Sequence, residues 1–335
     1  MMKSFKMMFF STMIIGSLIT ISSNSWMGMW MGLEINLLSI IPLLSDNDSS
    51  HSTEASIKYF ITQVTASNII LMAIICMFYN NDQIYNNYHL SMMIQLALFI
   101  KIGAAPFHSW FPEVMEGLTW NNCLIMLTWQ KIAPMIILMS MISQEMLIYL
   151  VILMSATIGS IVGFNQISLR KILAYSSINH IGWMIAAMIS TTSIWIIYFL
   201  IYTIISMNII LVFNLMKIKT ISQIAMIFKN NKLSSLFFSM NFLSLGGLPP
   251  FMGFLPKWLT IQQLIFMNNY FIAIWLISLT LIAMFFYLRM SIIPMTIMSQ
   301  MQLTKLSMKI NFILYITNTV SLLALASIGF IFYPL

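Results

Sequence analysis

The chain has 335 residues, of which 60% are hydrophobic and only 7% charged, with a mean hydropathy of +0.92. A soluble globular domain carries roughly 25% charged residues, so the composition excludes one and points to an integral membrane protein. The formal charge of +7 does not argue for nucleic acid, because the basic residues gather on one membrane face.

Apolar runs of about 17–25 residues suit a helix that crosses a hydrocarbon core of roughly 30 Å, whereas barrel strands alternate at every second residue. The runs are continuous, so an all-α fold with eleven membrane spans is expected, at 7–23, 26–44, 57–79, 90–112, 122–142, 146–164, 172–190, 194–216, 235–265, 270–292 and 312–333. The first, within MMKSFKMMFFSTMIIGSLITISSNS, also fits a secretory leader: two lysines, an apolar stretch, then small residues. Ten further spans follow it, and a retained helix is the simpler reading. The second span, MGLEINLLSIIPLL, carries Glu34. In the fourth, FIKIGAAPFHSWFP sets Lys101, Gly103 and Pro106 in the middle of an apolar run, where each is costly. The fifth holds Lys131 in TWQKIAP and the seventh His180 in YSSINHIGWM. The ninth reads LGGLPPFMGFLPKW, with Lys257 after Pro249, Pro250 and Pro256.

An odd number of spans sends the loops to alternate sides. The side of the N-terminus receives Lys3, Lys6, Lys58, Arg170, Lys171, Lys217, Lys219, Lys229, Lys232, Arg289, Lys305 and Lys309, twelve of the 15 basic residues. The other side receives none, only Asp82 and Glu145. One miscounted helix would scramble this asymmetry, so the positive-inside rule supports both the count and an N-terminus on the inner side. The interrupted fourth and ninth spans lie five apart and run in opposite directions. That is the pattern of an inverted repeat, spans 1–5 (7–142) against spans 6–10 (146–292), with the last helix, 312–333, outside it.

A charge at mid-membrane costs about 2.5–3.5 kcal/mol on insertion scales, so Glu34, Lys101, Lys131, His180 and Lys257 must face one another or water inside the bundle. Burial opposes the charged form of a side chain and a nearby opposite charge favours it. A lysine held between the two can change protonation when its partner moves. Glu34 with Lys101 is the candidate pair, since no other acid lies at mid-depth, and Lys131, His180 and Lys257 could pass protons along the membrane plane, histidine by virtue of a pKa near neutrality. The helix breaks free backbone groups that water or protein must satisfy, so the lysine sits beside the break that hydrates it. The plainer readings stand beside this one. A lone intramembrane lysine is often a structural ion pair, and His180 suits a hydrogen bond to a neighbouring helix as well as a relay. Glu54, Glu113 and Glu116 read as solvated acids at the basic-side surface. Gln63, Gln95, Gln130 and Asn179 are interhelical hydrogen-bonders or the lining of a water path.

The rest of the chain is chemically plain. Cys76 and Cys123 have no partner at metal or redox spacing and read as packing residues, and the 33 methionines read as packing and lipid-facing surface. Nothing resembles GxGxxG, a P-loop, CxxC or HExxH, so the chain has no visible means of holding a nucleotide, flavin, haem, iron–sulfur cluster or metal.

Taken together, MGLEINLLSIIPLL, KIGAAPFHSWFPEVMEGL, TWQKIAP, SLRKILAYSSINHIGWM and NFLSLGGLPPFMGFLPKW closely resemble the antiporter-like proton-pumping subunits of mitochondrial NADH:ubiquinone oxidoreductase, respiratory complex I, and among them the insect subunit-2 family. The resemblance covers nearly the whole chain and weakens in the last span and the 217–234 loop. The abundance of methionine and isoleucine, with Arg170 and Arg289 the only arginines, looks like an AT-rich mitochondrial gene in which AUA encodes methionine. The resemblance implies a mitochondrial inner-membrane subunit with its N-terminus in the matrix and its C-terminus on the intermembrane-space side. It implies further that proton translocation is driven by electron transfer from NADH to ubiquinone in other subunits, which would hold the flavin and iron–sulfur clusters. The family's functional glutamate matches Glu34, its lysines match Lys101, Lys131 and Lys257, and a histidine of its central polar axis matches His180. The partners implied are other membrane-arm core and accessory subunits and the lipid bilayer, cardiolipin included. One departure is that spans 6–10 offer no carboxylate to match Glu34. Two rival readings use the same residues: a separate cation/proton antiporter, and a scaffold whose buried charges only hold helices together.

Overall fold

A computed structural model describes residues 2–45, 50–79, 84–141, 145–228, 232–249 and 251–296. The described residues are helical apart from short connections and one isolated antiparallel bridge, Ser168 to Thr220. The eleventh expected span, 312–333, lies outside them, as do Lys305 and Lys309.

The helices are α1 (Met2–Ser22), α2 (Trp26–Leu44), α3 (Ser50–Tyr79), α4 (Ile84–Ile102), α5 (Trp110–Gly117), α6 (Trp120–Leu127), α7 (Trp129–Ser140), α8 (Glu145–Phe164), α9 (Leu169–Ser190), α10 (Thr192–Met216), α11 (Ile221–Phe228), α12 (Lys232–Gly246), α13 (Phe254–Phe266) and α14 (Tyr270–Thr296). Eight helical stretches among the described residues are long and apolar enough to cross a membrane, with α6 and α7 together forming one, and α4 and α12 supply shorter apolar segments. Helix is the form that satisfies every backbone group within its own segment, which hydrocarbon demands. Serine and threonine fit into these helices because their hydroxyls return to a carbonyl of the preceding turn: Ser17 to Ile14 at 2.7 Å, Ser39 to Asn36 at 2.8 Å, Ser155 to Ile152 at 3.0 Å and Ser177 to Ala174 at 2.7 Å.

The structure departs from the sequence expectation in two places. The fifth span is not one helix: α6 and α7 meet at Thr128, whose hydroxyl bonds the Leu124 carbonyl at 2.7 Å, a back-bond that bends helices. The 217–234 loop contains α11, anchored by Ile224 in the interior. Its start is tied to the start of α9 through Leu169 N–H to the Lys219 carbonyl (3.1 Å) and Ile221 N–H to the Ile167 carbonyl (3.4 Å).

The chain divides into two compact units, Met1–Val151 and Ile152–Leu335. In the first, α2 packs on α1 and α3, α3 on α4 and α5, and α7 on α4 and α6. In the second, α9 packs on α10 and α13, and α12 on α10 and α14. Methionine serves both interior and surface: Met115, Met135 and Met184 are fully buried, while Met72 is exposed with Ile75 and Phe78 on an apolar face of α3.

Candidate functional site

The fourth span breaks after α4. Gly103 adopts φ +76°, and the amides of Gly103 and Ala104 both return to the Phe99 carbonyl, at 3.0 and 3.1 Å. A left-handed residue closing a helix is glycine's usual place. Two carbonyls of the last turn accept from side chains: the Trp110 indole donates at 3.1 Å to Ile100, which also accepts from the Gly103 amide at 3.2 Å, and the Gln63 amide donates to Lys101 at 3.3 Å. The backbone freed by the break is thus partly satisfied by protein. Lys101, in that last turn, is 7% exposed, and Gln63 is buried opposite it.

A cavity opens beside the break. Its walls are Lys101, Lys131, Gln63, Gln130, Asn36 and Tyr59, completed by apolar and aromatic neighbours such as Leu33 and Phe111. It leaves about 20 Å³ for the centres of water molecules, above the roughly 10–15 Å³ that one water requires. A hydrogen-bonded row spans three helices along it: the Tyr59 hydroxyl donates to Gln130 Oε1 (3.3 Å) and Gln130 Nε2 donates to Asn36 Oδ1 (2.8 Å). Lys131, 2% exposed, follows Gln130 on α7 and sits three residues past the bend at Thr128, with its Nζ 5.6 Å from the centre of the Phe111 ring. Glu34 is half-buried on α2 and does not line this cavity, although its neighbours Leu33, Asn36 and Leu37 do. Glu34 acts electrostatically on Lys101, yet no ion pair within 4.0 Å joins them among the described residues.

The ninth span breaks after α12. Gly247 adopts φ +79°, its amide returning to the Ser244 carbonyl at 3.0 Å. Lys257, in the first turn of α13, folds back across the gap and donates to the Gly246 carbonyl at 2.6 Å. A Cβ on Gly247 would come within 2.8 Å of Lys257 Cδ, so the bare backbone makes room for the lysine stem. The ammonium also lies 5.8 Å from the centre of the Trp183 ring. Cations are favoured both at helix C-termini and over aromatic faces.

His180 lies on α9, three residues before Trp183, and is 5% exposed. Its Nδ1 is 2.9 Å from the Tyr198 hydroxyl of α10, and its ring centre is 5.2 Å from that of Tyr202. The structure therefore brings together Lys101 with Lys131 in the first unit, and in the second it sets Lys257 against Trp183 and His180 against Tyr198.

Other residues singled out by sequence fall as follows. Lys58 bonds Glu54 and Glu113 at 2.9 Å each, all three exposed; the first pair lies within α3 and the second ties α3 to α5. Glu116 is exposed. Gln95 donates to the Met141 carbonyl, and Asn179 Oδ1 has no hydrogen-bond partner among the described residues. Cys123 is buried, its thiol 3.6 Å from the Met115 carbonyl, and Cys76 is partly buried. Among the described residues no group of three His, Cys, Asp or Glu is spaced to hold a metal ion. Sequence reasoning passed over Asn36, Tyr59, Trp183 and Tyr198. Asn36 was legible, as an amide in the middle of the same span as Glu34; tyrosine and tryptophan in an apolar run carry no such signal.

Long apolar helices with lysines buried at two helix breaks define a polytopic membrane protein of the antiporter-like class. Residues 23–284 match the family described as NADH:quinone oxidoreductase/Mrp antiporter, TM. NADH-ubiquinone oxidoreductase chain 2 of Anopheles gambiae is 51% identical over 287 residues, 84% of each chain. Among solved structures, a chain of respiratory complex I from Thermus thermophilus superposes with a TM-score of 0.83 at 21% identity, over 95% of this chain and 76% of that one. A chain of the Mrp complex from Dietzia sp. superposes with a TM-score of 0.74 at 16% identity, over 83% and 58%. At such identities these two likenesses are of fold. The chain belongs to the NADH:quinone oxidoreductase/Mrp antiporter family, among its NADH-ubiquinone oxidoreductase chain 2 members.

Proposed function

We infer that this chain is a membrane-arm subunit of respiratory complex I in the mitochondrial inner membrane, contributing to proton translocation driven by electron transfer from NADH to ubiquinone in other subunits. The observation that carries the reading is the cavity beside the first break, wide enough for water and walled by Lys101 and Lys131. The partners of this reading are other core and accessory membrane-arm subunits, and a bilayer in which cardiolipin is a lipid to test; likeness to chains of multi-subunit respiratory complexes supports it. The flavin, iron–sulfur clusters and quinone chemistry belong to those other subunits.

The proposed order of events begins at Glu34. Redox chemistry elsewhere disturbs the field that Glu34 exerts on Lys101, Lys101 changes protonation, and the change passes to Lys131, His180 and Lys257. Each proton moved against the membrane potential costs about 2.3 kcal/mol per 100 mV, within the reach of a charge switch among buried groups. The proposed architecture is eleven spans in two inverted halves, 7–142 and 146–292, with the N-terminus in the matrix. Supporting it are the left-handed glycines Gly103 and Gly247, which close corresponding half-helices beside a lysine.

Two measurements test the reading. The chain should migrate with the NADH-oxidising complex on native gels; a small, NADH-inactive species under conditions that keep that complex intact favours a separate cation/proton antiporter. In sealed vesicles, Lys101→Ala should lower proton uptake per NADH oxidised, and an unchanged ratio removes Lys101 from the mechanism.

A further inference from the structure

All eight acidic residues of the chain lie at or before Glu145. The first unit therefore carries five basic and eight acidic side chains, and the second carries ten basic and none acidic. The positive-inside rule accounts for basic residues on one side but constrains acids little, so orientation alone does not require this imbalance. In the first unit Lys58 meets two carboxylates; in the second no side chain can answer a cation in that way. Five of its cations belong to segments joined at the short connection between α8 and α9. Arg170 and Lys171 open α9, Lys217 and Lys219 border the segment whose Lys219 carbonyl accepts from Leu169, and Arg289 of α14 donates to the Gln166 carbonyl at 2.9 Å. Only one of the four N–H donors on the terminal nitrogens of Arg289 has a partner among the described residues. One turn earlier on the same face of α14, Phe285 stacks on Phe164, the last residue of α8, with ring centres 4.8 Å apart. Both rings are exposed, and Leu281, Leu288 and Ile292 extend the exposed apolar stripe.

We propose that Arg289, within the basic surroundings of the α8 to α9 connection, binds the phosphate of an anionic phospholipid whose acyl chains lie along the Phe164 and Phe285 rings. The inference rests on residence in a membrane and not on the proton relay. Arg289 stands four residues before the end of the apolar stretch Tyr270–Ile293, and Phe164 closes the stretch Met146–Phe164, so the guanidinium lies at the depth of lipid head groups with the rings beneath it. A guanidinium pairs two N–H groups with a phosphate, and basic sites between membrane helices hold anionic head groups. An acidic loop of a neighbouring protein would meet the charge but not the exposed rings one turn deeper, whereas a phospholipid meets both.

The test uses the native assembly that carries the chain, purified in mild detergent and incubated with one of two photoactivatable lipids, phosphatidylglycerol or phosphatidylcholine, bearing the same diazirine acyl chain. Labelled peptides are then mapped by mass spectrometry. The phosphatidylglycerol probe should label 161–168 and 281–292 several-fold more than the phosphatidylcholine probe, while the exposed face of α3 around Met72 and Ile75 takes both alike. Arg289→Gln should bring the first probe down to the level of the second. Equal labelling by the two probes at the wild-type site makes it an ordinary lipid contact and overturns the proposal, as does a preference that survives Arg289→Gln. Labelling by neither probe also overturns it, and carbodiimide links from Lys171, Lys217 or Lys219 to another subunit's carboxylates would then show an acidic protein in the lipid's place. Should Arg289→Gln fail to assemble, competition on the wild type decides. Unlabelled phosphatidylglycerol should displace the anionic probe where the same concentration of phosphatidylcholine does not, and equal displacement removes the proposal.

Discussion

The two helix breaks solve the same problem with different means. At the first, Lys101 precedes the break, in the last turn of α4, with an acid acting from a distance and a cavity edged by amides and a phenol. At the second, Lys257 follows the break and reaches back to the carbonyl that ends α12, with the Trp183 ring on another side. The second half of the sequence lacks a carboxylate to match Glu34, and the structure supplies a helix terminus and an aromatic face where that carboxylate would act. A buried lysine needs negative potential nearby, and a formal charge is only one source of it.

The largest expected effect comes from the glycines. Gly247→Ala forces a left-handed alanine, which costs about 1–2 kcal/mol, and drives a Cβ against Lys257. Assembled complex and proton uptake per NADH should both fall sharply. Gly103→Ala carries the same backbone cost but meets only Phe111 and Trp110, at 3.3 Å, so complex on native gels should fall less and the ratio in what assembles should stay near wild type. Equal losses of coupling at the two sites would break the comparison. Next, Gln130→Leu deprives Tyr59 and Asn36 of their shared partner; at about 1–3 kcal/mol for buried polar groups left unmet, it should lower the thermal stability of the complex in a melting assay. Trp183→Phe keeps an aromatic face but a weaker one. With a cation–π contact at about 0.5–2 kcal/mol, it should trim the ratio modestly, and a loss as large as that of Gly247→Ala would make the ring, rather than the Gly246 carbonyl, the main support of Lys257. Smallest of all, Lys58→Met removes two exposed ion pairs and should leave abundance and coupling unchanged at physiological salt, since exposed pairs are strongly screened.

Much of the helical order was legible because lipid permits few alternatives: a continuous apolar run has little choice but helix. Glycine and proline marked both breaks, and the ionisable residues stood out because each is costly at mid-depth. The bend at Thr128 was not legible, since a threonine inside TWQKIAP is compatible with an unbroken helix and only its back-bond to Leu124 reveals the bend. Nor could the cavity be read from Glu34. On a helix, Leu33, Asn36 and Leu37 share a face that their neighbour does not, and that face is the one turned to Lys101. Tyr198 and Trp183 were invisible for a different reason: in a run such as TSIWIIYFLIY an aromatic carries no mark of the polar group it will meet.

The serine and threonine back-bonds bear on how this sequence can drift over evolutionary time. A hydroxyl that answers only to its own helix, as those of Ser17, Ser39 and Ser155 do, imposes little on its neighbours, so exchange with alanine or threonine should be common there among orthologues wherever space allows. The amides that cross from one helix to another, Gln63, Gln95, Gln130 and Asn122, have no such freedom, because each answers a group on a different segment. In a lineage with a fast mutation rate, the polar alphabet of this membrane protein should therefore divide into letters that wander and letters that hold still.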